Sequence, residues 1–132
     1  MSEPTDEQPR RYAVRYYQRA TRDIDQITVS YADATGNEAR AASLRNGIRD
    51  VASSLSENPE GNAVAEVESA AFGFAVRRAR YRMSKGGQIS YHLLYYVVEQ
   101  SADGDVVFIM HVRHANRAPL TPDEASEIKV QQ

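Results

Sequence analysis

The chain has 132 residues, which suits one domain with one core and is too short for two. A hydrophobic fraction of 42%, a charged fraction of 26% and a formal net charge of -2 are typical of a globular protein and exclude a strongly basic polyanion binder. The absence of cysteine excludes disulfides and thiolate sites, and neither a signal peptide nor an apolar run of about 18 residues is present. We therefore expect a soluble, cytoplasmic protein.

The acidic residues are concentrated at the two ends of the chain. The opening MSEPTDEQPR is polar and contains two prolines, which predicts a flexible acidic tail over residues 1–10. Residues 10–120 contain 15 basic and 12 acidic residues, a net charge of +3. The body of the protein is thus mildly basic.

The first half of the chain predicts one strand and two helices. The run YAVRYY (12–17) mixes aromatic and β-branched residues, as strands do. Apolar residues then recur at helical spacing, with Asp23 and its polar neighbours turned largely outward, and predict helices over about 19–34 and 38–56. The two apolar stripes are Ala20, Ile24, Ile27 and Tyr31, then Ala41, Leu44, Ile48, Val51 and Leu55. A short break at Gly36 makes the two helices a hairpin that must pack on a sheet.

The second half predicts that sheet. Three strand-like runs cover residues 72–83, 89–99 and 106–115, separated by the turn sequences SKGGQ and SADGD. Regular alternation in the last run would put Met110, Val112 and His114 on one face and His111 on the other. Thr121 and Pro122 have the chemistry of a helix start, so a short C-terminal helix or tail is expected over 121–132.

These elements predict an α+β domain over residues 11–120 in the order β-α-α-β-β-β. The helical hairpin would pack on one face of an antiparallel four-stranded sheet.

Several motifs in this order resemble the RelE/ParE family of toxins from type II toxin-antitoxin systems. They are the strand YAVRYY, the helix pattern Ala20-x-x-Asp23-Ile24-x-x-Ile27-x-x-x-Tyr31, the run Tyr91-His92-Leu93-Leu94-Tyr95, and the ending Val112-x-His114-x-x-Arg117-x-Pro119. The resemblance implies a small bacterial protein that arrests growth and is neutralised by a cognate antitoxin. It leaves two modes of action open. RelE-like toxins cut messenger RNA on the ribosome, whereas ParE-like toxins poison DNA gyrase.

A cluster of basic residues is a candidate for nucleic-acid or partner binding. It consists of Arg77, Arg78, Arg80, Arg82 and Lys85. On a strand, alternate arginines share a face and could contact phosphates of a nucleic acid or carboxylates of the antitoxin. The alternative is a solvated sheet edge whose charges discourage strand pairing.

His114 and Arg117 are the candidate catalytic residues. Histidine can transfer a proton near neutral pH, and arginine can clamp a phosphate, as cleavage by a 2'-hydroxyl would require. A structural role for both is the alternative. His92 is expected to be a packed or rim histidine rather than a catalyst. We expect neither a metal site at His111 nor any other cofactor.

Two departures from the RelE-like pattern favour binding over cleavage. No tyrosine follows Tyr96, and the basic strand contains arginine, a poor general base, where lysine is usual in the family. The sequence therefore favours a toxin that inhibits gyrase by binding. One alternative is a metal-independent, ribosome-dependent endoribonuclease, with His114 as acid or base and with Arg78, Arg80 and Arg117 around the scissile phosphate. Another is a non-toxic member of the fold that only binds its partner.

Overall fold

The structure is a computed structural model that describes residues 11–85, 87–102 and 104–131. Its elements in chain order are β1 (Ala13–Tyr16), α1 (Gln18–Thr35), α2 (Glu38–Ser54), a 3₁₀ turn (Pro59–Gly61), α3 (Glu66–Phe72), β2 (Arg77–Lys85), β3 (Gln88–Ser101), β4 (Gly104–His114) and α4 (Pro122–Gln131). The α+β order and the helical hairpin are as predicted. The predicted tail at residues 1–10 lies outside the described residues.

The four strands form one sheet in the order β1-β4-β3-β2. The pairs β2-β3 and β3-β4 are antiparallel, as predicted, whereas β1 lies parallel to β4. Such parallel pairing needs a long connection, and the chain between β1 and β4 passes through three helices and two strands before it returns in the same direction. The sheet is thus mixed, with β1 and β2 at its two edges.

The helical hairpin covers one face of the sheet, which we call the hairpin face. Its predicted stripes are the core there: Ile24, Leu44 and Ile48 are all fully buried against Leu94 and Ile109. The observed ends of the two helices differ from the predicted ends by at most two residues, which is the usual uncertainty of helix ends.

Gly47 lets α2 approach β2 closely. A Cβ at this position would lie 2.3 Å from ring atoms of Tyr81. A glycine within a helix is less favourable than alanine by up to about 1 kcal/mol, so the close contact with the tyrosine ring explains its presence here.

Helices α3 and α4 pack on the opposite face, which we call the second face. Phe72 from α3 and Ile128 from α4 meet Tyr95 and Met110 of the sheet there. The predicted strand from residue 72 therefore starts five residues too early, since Phe72 ends a helix and β2 begins at Arg77. At the start of α4, Thr121 Oγ1 accepts from the N–H of Glu124 and Oε1 of Glu124 accepts from the N–H of Thr121, the capping box expected of a helix start.

Candidate functional site

An extra residue in β4 changes which side chains reach the hairpin face. Tyr96 pairs with Ile109 and Tyr95 pairs with His111, so Met110 has no partner on β3 and forms a β-bulge. Met110 lies in the core of the second face, while Val112 lies in the core of the hairpin face. The predicted common face of Met110 and Val112 is therefore wrong, because a bulge reverses the alternation beyond it.

The bulge places His114 next to His92 on the hairpin face. The two residues are direct cross-strand partners, with ring centroids 4.9 Å apart and ring planes at 86°. His92 is packed, as predicted, with 3% of its surface exposed. Its Nδ1 is buried and has no hydrogen-bond partner among the described residues.

The two histidines differ in what they can do chemically. Burial, followed by the charge of His114, lowers the pKa of His92 to about 4, so His92 is neutral at pH 7. Nδ1 of His114 accepts a hydrogen bond of 3.0 Å from the N–H of Asn116. A neutral His114 therefore carries its proton on Nε2, and Nε2 is the atom that can give or take a proton at this site.

Asp23 holds the edge of β4 where β1 has ended. The last residue pair of these strands is Tyr16 with Ile109. Beyond it, Oδ2 of Asp23 accepts a bond of 3.0 Å from the N–H of Val112 and lies 2.7 Å from Nδ1 of His111. The carboxylate thus binds backbone that a longer β1 would have bound.

Asp23 and His111 are buried, which corrects the outward position expected for Asp23. Oδ1 of Asp23 accepts from Nε of Arg19 at 2.9 Å, and the His111 ring stacks on Tyr95 with centroids 5.9 Å apart. The spacing of Arg19 and Asp23, one turn apart, was the available sequence signal, but it is equally typical of a solvated ion pair.

Arg113 fixes the turn that carries Arg117, although the sequence did not single it out. Its guanidinium donates to the hydroxyl of Tyr95 at 2.8 Å and lies 3.7 Å from a buried carboxylate oxygen of Glu68 in α3. It also donates to the carbonyls of His114 and Arg117. The N–H of Arg117 donates to the carbonyl of His114 at 3.0 Å. The turn is therefore held both by its own backbone hydrogen bond and by the side chain of Arg113.

The histidines line a cleft of about 820 Å³ between α1, the end of the sheet and the turn after β4. Polar groups that line it include Arg19, Tyr31, His92, His114, Asn116 and Arg117. His114 and Arg117, which the sequence paired, therefore face one space. No group of three or more potential metal ligands occurs within the described residues.

The basic cluster does not join this cleft. Arg78, Arg80 and Arg82 are exposed and pair with Tyr95, Leu93 and Tyr91 of β3, on the second face. Arg77 instead donates to the carbonyls of Glu60 and Asn62 and holds the loop before α3. Lys85 ends β2, and its side chain lies outside the described part of the structure.

The separation of the basic cluster from the cleft bears on the arrangement that the sequence predicted for RNA cleavage. For cleavage, Arg78 and Arg80 were to surround the same phosphate as Arg117, with His114 as acid or base. His114 and Arg117 line the hairpin-face cleft, whereas Arg80 stacks over the ring of Tyr91 on the second face, 5.1 Å from its centroid. The structure does not bring these residues together.

The element order is the one that the resemblance to type II toxins led us to expect. A family model described as "ParE toxin of type II toxin-antitoxin system, parDE" matches residues 14–119. The match spans most of the chain, so the chain belongs to the ParE toxin family, whose toxins pair with a cognate antitoxin. No curated protein and no solved structure matches the chain. No helix among the described residues is long and apolar enough to cross a membrane.

Proposed function

We propose that this toxin arrests bacterial growth in the cytoplasm by binding DNA gyrase, without chemistry of its own. The observation that carries the proposal is the separation of the exposed arginines from the His114 and Arg117 cleft. Cleavage of RNA needs a proton-transfer group and several cations around one phosphate. Here the cations on β2 face away from the cleft that His114 lines. Of the other arginines that line the cleft, Arg19 is paired with Asp23, and Arg113 is bonded to Tyr95 and to the backbone of the turn. His92 is neutral at pH 7.

A surface that binds a protein needs fixed anchors, and the turn after β4 supplies one. Arg117 is exposed, while Arg113 holds the backbone of the same turn. Arginine on an ordered backbone is a frequent anchor of protein interfaces, because little further ordering is required on binding. The cleft beside it offers Tyr31 and Met83 as apolar contact area.

The second candidate is a ribosome-dependent endoribonuclease. It is favoured by one observation, that His114 and Arg117 line the same cleft. In this mechanism His114 would move the proton and Arg117 would bind the scissile phosphate, with no metal. The third possibility, a non-toxic partner-binding member, predicts no growth effect at all.

Purified components distinguish the candidates. The toxin is added to gyrase, relaxed plasmid and ATP, and supercoiling is followed on gels; in parallel, it is added to a translating extract and the message is mapped for cuts. We expect loss of supercoiling and intact message. Cut message with normal supercoiling would establish the nuclease instead, and normal results in both assays would refute both toxic activities.

Substitutions at the cleft separate binding from proton transfer. If binding is the mechanism, Arg117→Ala should reduce growth arrest more than His114→Ala, because it removes the larger polar anchor. Proton transfer predicts the reverse, a loss of about 10²-fold or more in His114→Ala. Arg45→Ala on α2 is a control away from the cleft. Full toxicity of both cleft variants would remove this surface from the active region.

A further inference from the structure

Three exposed arginines form a straight row on the second face, and we call Arg78, Arg80 and Arg82 the arginine row. They alternate along β2, so adjacent guanidinium groups start roughly 6.8 Å apart, two residues at about 3.4 Å each. This spacing is comparable to the distance between successive phosphates along one nucleic-acid strand. The row is therefore a regular array of cations rather than a scattered set.

No acidic residue of the sheet neutralises the row. Strand β2 contains no Asp or Glu, and the neighbouring β3 contains none before Glu99, near its end. Within the described part of the chain, none of the three arginines forms an ion pair. Three like charges on neighbouring positions repel one another, so a bound polyanion would relieve a repulsion that the fold itself leaves in place.

One member of the row is already ordered. The guanidinium of Arg80 lies over the ring of Tyr91, 5.1 Å from its centroid. Stacking fixes the plane of the donor fork and lowers the entropy lost when it binds an anion. Arginine forks match phosphate oxygens in bidentate geometry.

The row also stands at an open border of the sheet. Strand β2 is an edge strand, and within the described residues only its start is covered. The N–H of Arg78 donates to the carbonyl of Ala63, and the N–H of Ala65 donates to the carbonyl of Val76, one residue before the strand. From Arg80 onward the outer edge carries no strand within the described residues. A convex rod such as a DNA duplex can therefore reach the row from the face or from the edge.

We propose that the arginine row binds the phosphate backbone of duplex DNA, one phosphate per arginine and without reading bases. The biological meaning rests on the proposed inhibition of gyrase, since duplex DNA is the substrate that gyrase holds. The toxin then contacts gyrase through the cleft side and the DNA through the opposite face. Three phosphate contacts alone give only weak binding of the toxin to DNA. They increase the affinity of the toxin for the gyrase–DNA complex, because there gyrase and DNA are bound at the same time.

Salt dependence tests the proposal with purified toxin and a fluorescein-labelled duplex of mixed sequence, read by anisotropy between 20 and 100 mM KCl. Three phosphate contacts predict a slope of about -2.7 in a plot of log K against log [KCl], because each contact contributes about -0.9. Arg82→Gln should reduce the slope to about -1.8, and the triple Arg78→Gln, Arg80→Gln, Arg82→Gln variant should abolish measurable binding.

A matched control removes the same charge from elsewhere. The triple variant Arg40→Gln, Arg45→Gln, Arg49→Gln changes α2, where Arg49 also lies over a tyrosine ring, 5.4 Å from the centroid of Tyr16. We expect it to keep the wild-type slope. An equal loss in both triple variants would mean nonspecific charge attraction, and an unchanged slope in the row variant would place DNA elsewhere; either result overturns the proposal.

Two further arms separate this inference from its alternatives. Poly-glutamate is titrated against the same variants: loss of poly-glutamate binding with an unchanged DNA slope would assign the row to an acidic peptide and refute the proposal. Supercoiling by gyrase is measured with each variant. If wild-type toxin binds DNA as predicted but never inhibits gyrase, the proposed function fails while the DNA site stands.

Discussion

The carboxylate of Asp23 lies 2.7 Å from Nδ1 of His111, although 88 positions separate the two residues in the sequence. Since an ionised carboxylate only accepts hydrogen bonds, Nδ1 of His111 is the donor. The same oxygen accepts the N–H of Val112, so one side chain of α1 satisfies two buried groups of β4 immediately after the bulge. Asp23 therefore stabilises the strand segment that leads to His114.

Removal of this carboxylate should destabilise the protein strongly. Asp23→Ala leaves two buried donors without a partner, each costing on the order of 1–3 kcal/mol, so we expect a loss of about 2–6 kcal/mol in the free energy of unfolding. Urea unfolding followed by circular dichroism measures it. The control is Asp25→Ala, which changes an exposed carboxylate on the same helix. Equal stability of the two variants would show that the bonds of Asp23 contribute nothing net.

Acid should destabilise the fold through His92. In the unfolded chain the pKa of His92 is about 6.5, whereas in the folded protein the pKa of His92 is lowered to about 4. Between these values the unfolded state binds more protons, so stability is present at pH 7 and is lost as the pH falls toward 4. From pH 7 to pH 5 the loss attributable to this residue is about 2 kcal/mol.

The variant His92→Gln isolates this contribution. We expect it to be less stable than the wild type at pH 7 but to lose about 2 kcal/mol less between pH 7 and pH 5, as measured by urea unfolding at each pH. His114→Gln tests whether the neighbouring charge contributes. If the wild type and His92→Gln lose the same amount, burial of His92 does not drive the acid sensitivity.

Gly47 gives a prediction whose sign depends on one neighbour. In an exposed helix, glycine to alanine should stabilise by up to about 1 kcal/mol. Gly47→Ala should instead destabilise, because the new Cβ would lie 2.3 Å from the Tyr81 ring. In a Tyr81→Leu background the shorter side chain leaves room, and the same change should become neutral or stabilising. Thermal unfolding of the four proteins of this cycle decides it; a stabilising effect in both backgrounds would contradict the close packing.

Arg113 should control the order of the turn that carries Arg117. Arg113→Lys keeps the charge but loses the fork that joins Tyr95 to the carbonyls of the turn. Loss of about 1 kcal/mol of local stability predicts amide hydrogen exchange at Asn116 and Arg117 that is about five- to tenfold faster. Arg82→Lys serves as the control. Unchanged exchange at both amides would show that the turn is held without Arg113.

The sequence alone determined the elements with a clear period and the composition of the main core. Steps of three and four residues fixed the two helices and put Ile24 and Ile48 in the core, because a helix buries one stripe whatever it packs against. The motif of His114 and Arg117 also indicated the family, which the match over residues 14–119 confirms.

The tertiary structure alone decided which side chains meet. One extra residue at Met110 reverses the faces of β4, and no local pattern marks it, because Met110 lies in a run from Val106 to Val112 that is apolar except for His111. In the sequence, Asp23 occupies a position typical of a solvated helix face. In the structure, β1 ends early and leaves backbone of β4 exposed, and the carboxylate of Asp23 binds that backbone. Hydrophobic periodicity in the sequence indicates which side chains are buried. Hydrogen bonds between distant residues depend instead on where each strand begins, ends and bulges, and those positions are determined only when the whole sheet has formed.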